Sequence, residues 1–368
     1  MRIIHTADLH LDSKMTANLS KEKAKIRKTE LLNTFVRMVD YAVKNDVEAI
    51  LIAGDLFDTK VVSATALNVV KNEITSHPDI DFYYIKGNHD KNGFYDEASE
   101  EVPDNLKLFG DDWTCYELSQ SGRVKLYGIE LNEGNAARVQ EAFSPDPYDI
   151  NIVMMHGQES EAILKDKAEI INLKLFKNKG INYLALGHIH EYKCEALDGE
   201  GKYCYCGCLD GRGFDECGDH GFVLLTVDEE NRTVSDEFIS FASRRLYEVD
   251  VDITGLSTTP EILSKTESAL SNSNATERDL VKIVLKGEVD VECEKEPEYI
   301  VNTLKDNYFF VKLYDESRLS VDYDSYMLDE SLKGEFVRLV KASDLSDEEK
   351  ANVIKQGIYV ISGGKLEV

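Results

Sequence analysis

Along the first 190 residues, short, mostly apolar runs rich in β-branched residues alternate with longer stretches of helical repeat. Ile3–Ala7, Val47–Ala53, Phe82–Ile85, Lys125–Ile129, Ile150–Met155 and Ile181–Leu186 each predict a buried strand. Between them, Lys21–Lys44 sets Ile26, Leu31, Phe35, Met38 and Ala42 close to the helical period, and Ser63–Ser76 opens on a capping serine. Helices are also predicted around Asn135–Phe143 and Glu169–Lys179. Strand and helix in alternation predict a layered α/β core.

From Tyr192 the pattern changes to hairpins, with strands predicted at Tyr203–Cys208, Gly221–Val227 and Thr233–Ser240. A first domain is expected over residues 1–245. Tyr247–Ile253, a helix at Pro260–Leu270, Leu280–Leu285, a helix at Pro297–Asp306 and Tyr308–Leu313 predict a small β-α-β-α-β unit over 246–315. Helical segments at Ser331–Val340 and Ser346–Gln356 fall in a C-terminal part over 316–368.

Composition narrows the classes. Among 368 residues, 42 are Lys or Arg and 69 are Asp or Glu, a formal charge of −27. A hydrophobic share of 42% fills a sizeable core and excludes disorder as a class. So acidic a chain is no simple basic nucleic-acid binder, although cations or a basic partner can supply positive charge locally. No apolar run is long enough to span a bilayer, and Met1 leads directly into strand-like Arg2–Thr6. The expectation is a soluble, cytoplasmic protein with no membrane partner.

The informative polar residues follow the predicted strands. Asp8-Leu9-His10 follows the first, Gly54-Asp55 the second and Gly87-Asn88-His89-Asp90 the third. His156-Gly157 and Gly187-His188-Ile189-His190 follow two later ones. Loops at the carboxyl ends of strands converge on one crevice in layered α/β domains, and glycines there allow close approach to a ligand. Carboxylate, imidazole and amide oxygen together suit manganese, iron or zinc, with no thiolate required. Singly, each piece is compatible with an ordinary turn. Five in order, all at strand ends, point to metal-assisted hydrolysis.

These five motifs resemble those of the calcineurin-like metallophosphoesterases. Ile4–Asp12, Ala53–Asp58 and Leu186–His190 further resemble the SbcD DNA-repair exonucleases, and Tyr205–Glu216 resembles their YhaO-type bacterial branch. The resemblance is strong over about the first 245 residues and rests on layout alone beyond them. It implies a four-layer α/β/β/α core with a smaller α/β capping domain and C-terminal helices. It also implies two divalent ions, manganese foremost: Asp8, His10, Asp55 and His190 on one, and Asp55, Asn88, His156 and His188 on the other. His89 would stay unligated and face the scissile phosphate, as a catalytic acid toward the departing oxygen or as a stabiliser of phosphate charge. Apart from the resemblance, Asp90, next to it in sequence, is expected to orient it. Two such ions clamp phosphate oxygens and acidify water.

DNA is the implied substrate, and an SbcC-like ATPase with a coiled coil the implied partner; a homodimer stays open. Leu332, Phe336, Leu339 and Val340, with Val353 and Ile354 on a second helix, would form the apolar docking stripe. The phosphatase branch acting on proteins is disfavoured, because Asp55–Lys60 contains no Arg and Asp90 stands where that branch has Glu. A small-molecule or cyclic-nucleotide phosphodiesterase and a noncatalytic scaffold for the ATPase remain as alternatives. Cys194, Cys204, Cys206, Cys208 and Cys217 cluster in sequence. A zinc site and buried free thiols both stay open for them, with thiols favoured because no C-x-x-C occurs.

Overall fold

A computed structural model describes residues 1–15, 19–58, 62–90, 94, 101–160 and 169–362. The chain divides into two compact units, Met1–Arg244 and a second beginning at Arg245.

The first unit opens with β1 (Arg2–Thr6), α1 (Lys21–Lys44), β2 (Ala49–Ala53), α2 (Ala64–Ser76) and β3 (Asp81–Ile85). There follow β4 (Leu106–Leu108), β5 (Thr114–Glu117), β6 (Val124–Gly128), α3 (Ala136–Ala142) and β7 (Ile150–His156). Two short strands, β8 (Gln158–Glu159) and β9 (Ile170–Ile171), precede β10 (Ile181–Gly187), β11 (Lys193–Ala196) and β12 (Lys202–Tyr205). A hairpin of β13 (Gly221–Asp228) and β14 (Thr233–Ser240) closes the unit.

These strands build two six-stranded sheets, ordered β14-β13-β1-β2-β3-β4 and β11-β12-β10-β7-β6-β5. The central strands of both are parallel. Strand alternation sorts the side chains into layers. Ile4, Ile50, Ile52, Phe82 and Tyr84 pack with Leu31, Phe35, Met38, Val70 and Ile74 of the two long helices. Ile3, Leu51, Tyr83 and Ile85 face Leu126, Ile152, Met154 and Ala185 between the sheets. Val153, Met155, Leu184 and Leu186 pack outward with Val139, Phe143 and Phe176. The result is the α/β/β/α sandwich. Being covered on both faces is why Ala49–Ala53 is apolar at every position.

Two local expectations need correction. On α1, Ile26 is 45% exposed, whereas Arg27 is buried. The guanidinium of Arg27 pairs with Asp210 at 2.7 Å and so occupies a core position that apolar periodicity cannot reveal. The helix expected at Glu169–Lys179 is instead β9, paired in parallel with β8, followed by one 3-10 turn at Leu173–Leu175. The Asn172 amide donates to Gln140 Oε1, and its side chain caps the Lys174 amide, so the local polar groups favour a turn.

In the second unit, β15 (Leu246–Asp252), β16 (Leu280–Lys286) and β18 (Phe310–Asp315) form a parallel sheet, with β17 (Glu288–Asp290) lying between β16 and β18 in sequence. Helices α4 (Thr259–Asn272) and α5 (Pro297–Leu304) cover it. β19 (Arg318–Ser320) pairs with β17, and Leu319 packs against both this core and that of α6 (Tyr323–Met327), α7 (Leu332–Lys341) and α8 (Asp347–Ile361). The C-terminal helices thus share packing with the α/β part. The expected stripe is divided: Val340 and Ile354 are buried and Phe336 is partly so, whereas Leu332 and Leu339 are 69% and 66% exposed.

Candidate metal centre

All five motifs lie where parallel strands end. Asp8 and His10 follow β1, Asp55 follows β2, and Asn88 and His89 follow β3. His156 is the last residue of β7, and His188 and His190 follow β10 of the same sheet. Backbone hydrogen bonds stitch the loops together: Asp8 N to Gly54 O and His10 N to Asp55 O, both at 3.0 Å, and Gly157 N to Gly187 O at 3.1 Å. The His188 amide also donates to the Asp8 carboxylate at 2.9 Å.

Asp8, His10, Asp55 and His188 all adopt positive φ, at 50°, 45°, 53° and 103°. Such backbones cost roughly 1–3 kcal/mol each and persist only where the surroundings over-determine them. The stitched amides provide that restraint. Gly54 also sits at φ +91°, and a Cβ there would lie 2.2 Å from His156 Nδ1. At Gly187 a Cβ would lie 2.0 Å from the Ala53 carbonyl oxygen. These two glycines therefore admit neighbouring strand ends and the His156 ring, a closer reason for them than ligand approach. Gly54→Ala is expected to destabilise the protein by roughly 2–4 kcal/mol, through overlap plus left-handed strain. An unchanged thermal midpoint would contradict that packing.

The side chains converge in three overlapping groups. Ligand atoms of Asp8, His10 and His190, of Asp8, Asp55 and His156, and, toward the rim, of His10, Asp58 and His89 lie within 4.8 Å of one another. Asp55 Oδ2 is 3.8 Å from His10 Nε2 and 3.6 Å from His156 Nε2, so one carboxylate faces both sides. Asn88 Oδ1 lies 3.0 Å from His156 Nε2 and 3.3 Å from His188 Nδ1. His89 stands at the rim, its side chain 44% exposed and its Nδ1 3.1 Å from Asp58. Asp90 does not orient it. The Asp90 carboxylate accepts from the amides of Leu56, Phe57 and Gly87, fastening the β2 and β3 loops to each other.

The donor chemistry fits cations. His156 Nδ1 donates to the Ala53 carbonyl at 2.9 Å, and burial lowers the ring's pKa to about 4, so Nε2 presents a bare lone pair. His190 Nδ1 donates to Glu216 at 2.7 Å, and His10 Nδ1 faces Asp58 at 3.4 Å, long for a hydrogen bond. Their Nε2 atoms meet at 3.1 Å. Two imidazole nitrogens so close need a proton or a cation between them. Burial above all pushes the Asp8 carboxyl up to about 8; His190 opposes the rise and the Asp55 charge adds to it. Cations placed here would relieve that cost, with Asp8, His10, Asp55, Asn88, His156, His188 and His190 as their holders.

Residues 1–192, more than half the chain, match the family described as calcineurin-like phosphoesterase. The chain belongs to the calcineurin-like phosphoesterases. Within them it is 30% identical over 302 residues to the uncharacterized metallophosphoesterase YhaO of Bacillus subtilis (strain 168), covering 78% of this chain and 72% of that one. It is 29% identical over 208 residues to the DNA double-strand break repair protein Mre11 of Sulfurisphaera tokodaii, covering 54% of this chain but only 51% of that protein. A 23% identical alignment with the Saccharolobus solfataricus protein of the same description covers 100% of this chain and 96% of that one. The activity that goes with this family is hydrolysis of phosphoesters.

Sequence reading passed over two carboxylates that orient the histidines. Asp58 faces His10 and His89, and Glu216 holds His190. Burial works against ionising Asp58, but the facing His10 ring, a hydrogen bond from Ser13 and the charge of Arg212 hold its carboxyl at about 2. Burial likewise opposes ionisation of Glu216, and contacts with His190 and Arg212 hold it well below the usual range. Both stand at the ends of motifs, Ala53–Asp58 and Tyr205–Glu216, and that position is the signal the sequence carries.

The cysteines take no part. Cys194 faces Cys204 across β11 and β12, Cys204 and Cys206 join the inter-sheet core, and Cys208 contacts His220. All seven are free thiols, and none belongs to a metal-competent group among the described residues.

Proposed function

We propose that this chain is the nuclease subunit of an SbcD-type DNA-repair complex, hydrolysing DNA phosphodiesters with two divalent ions, manganese foremost. The observation that carries the reading is the pair of donor sets on either side of Asp55, one formed with Asp8, His10 and His190 and the other with Asn88, His156 and His188. Alignment with a repair protein along essentially the whole chain favours DNA over other esters.

When bound, the ions would neutralise phosphate charge and bring water's pKa toward neutrality. The remaining steps belong to side chains. Asp58 engages His89 Nδ1, so the ring in its doubly protonated form would meet substrate through Nε2 and give the proton held there to the departing oxygen. Glu216 and Ala53 O commit the Nδ1 protons of His190 and His156, which keeps Nε2 of each directed inward.

The α/β part of the second unit is assigned to positioning DNA. Exposed Leu332, Leu339, Val353, Tyr359 and Val360 on α7 and α8 support docking of an ATPase coiled coil. Assay of duplex DNA against bis(p-nitrophenyl) phosphate and cyclic nucleotides in manganese tests the substrate. Turnover of DNA is expected; turnover of small esters alone would overturn it.

Because the chain carries −27 formal charge, the isolated, metal-free protein is expected to bind duplex DNA weakly, with affinity falling further as salt rises. Fluorescence anisotropy checks this. Tight retention at physiological salt would contradict it.

A further inference from the structure

The segment Asp210–Glu216 is anchored from behind and charged in front. Behind, Asp210 is buried and accepts from Arg27 Nη2 at 2.7 Å, Thr34 Oγ1 at 2.9 Å and the Ser243 amide at 3.0 Å. Arg27 also donates to the Gly211 carbonyl at 2.7 Å. Two residues further on, Arg212 reaches the metal-competent cluster. Its Nη2 donates to Glu216 Oε1 at 2.9 Å and its Nε lies 3.3 Å from the same oxygen. Its Nη1 is 3.5 Å from Asp58 Oδ1.

That oxygen of Glu216 is the one His190 Nδ1 donates to, and that oxygen of Asp58 is the one His10 and His89 face. One planar guanidinium therefore spans the two carboxylates behind the histidines. Each of its three nitrogens faces a carboxylate oxygen, an arrangement suited to holding those groups and not to clamping a phosphate.

We propose that Arg212 is a positioning residue for one ion of the pair: by tying Asp58 to Glu216 it aims Nε2 of His10 and His190 at the same cation. The proposal rests on the two-ion reading above. Asp58, Glu216, Asp8 and Asp55 crowd four carboxylates around the cluster, and removing the guanidinium leaves the outer two to repel and turn away. The buried Arg27–Asp210 pair gives the segment a fixed base, so the guanidinium arrives already oriented.

The test is calorimetric titration of manganese alone into the metal-free full chain. Wild type should take up two ions. Arg212→Met should weaken one of them by about 10–100-fold and leave the other unchanged, the usual range for losing an outer partner of a ligand. Glu216→Gln should weaken the same ion, Asn88→Ala the other, and Arg212→Lys, which keeps charge but loses the fork, should fall between wild type and Arg212→Met. Unchanged affinities in Arg212→Met, or equal weakening of both ions with a lowered thermal midpoint in Arg212→Met and Arg212→Lys alike, would overturn the proposal. A wild-type chain that takes up fewer than two ions would overturn the two-ion reading itself, and the proposal with it.

Discussion

Asp55→Ala is expected to cut phosphodiester hydrolysis by more than about 10³-fold, beyond the loss typical of removing a single electrostatic stabiliser. The reason is geometric. Asp55 Oδ2 faces His10 on one side and His156 on the other, and Oδ1 accepts from the His89 amide at 2.8 Å. Losing this carboxylate removes a donor from both sets and frees the loop that carries His89. Steady-state kinetics with bis(p-nitrophenyl) phosphate, alongside manganese uptake, reads both effects. Activity within tenfold of wild type would show that the two sets do not depend on a shared carboxylate.

His89→Ala is expected to behave differently. The ring stands at the rim beside His10, tethered through Asp58 and outside the two groups that contain Asp8, so manganese uptake should be preserved. Turnover should fall by roughly 10²–10⁴-fold, the range for a positioned general acid. An ester with a good leaving group, which needs little protonation, should lose much less than DNA. Equal losses on both substrates would place His89 in binding instead. Loss of manganese uptake would make it a ligand.

Much of this arrangement is legible in the sequence, for a physical reason. Strands covered on both faces must be apolar throughout, so Ala49–Ala53 and Ile150–Met155 stand out, and the polar residues that follow them mark the strand ends. What escaped depends on distant partners. Arg27 is buried because Asp210, 183 residues away, meets it, while Ile26 beside it faces outward. The short strands β4, β5 and β11 have few or no fully buried positions and leave no apolar run to read. The roles of Asp58, Asp90 and Glu216 follow from which histidine or amide each meets across loops, and that choice is set by tertiary contact.

The most direct test is an anomalous-scattering map of crystals grown with manganese. Two peaks, one on each side of the Asp55 carboxylate, are expected, the first against Asp8, His10 and His190 and the second against Asn88, His156 and His188. A single peak, or none between the loops that follow β1, β2, β3, β7 and β10, would contradict the account.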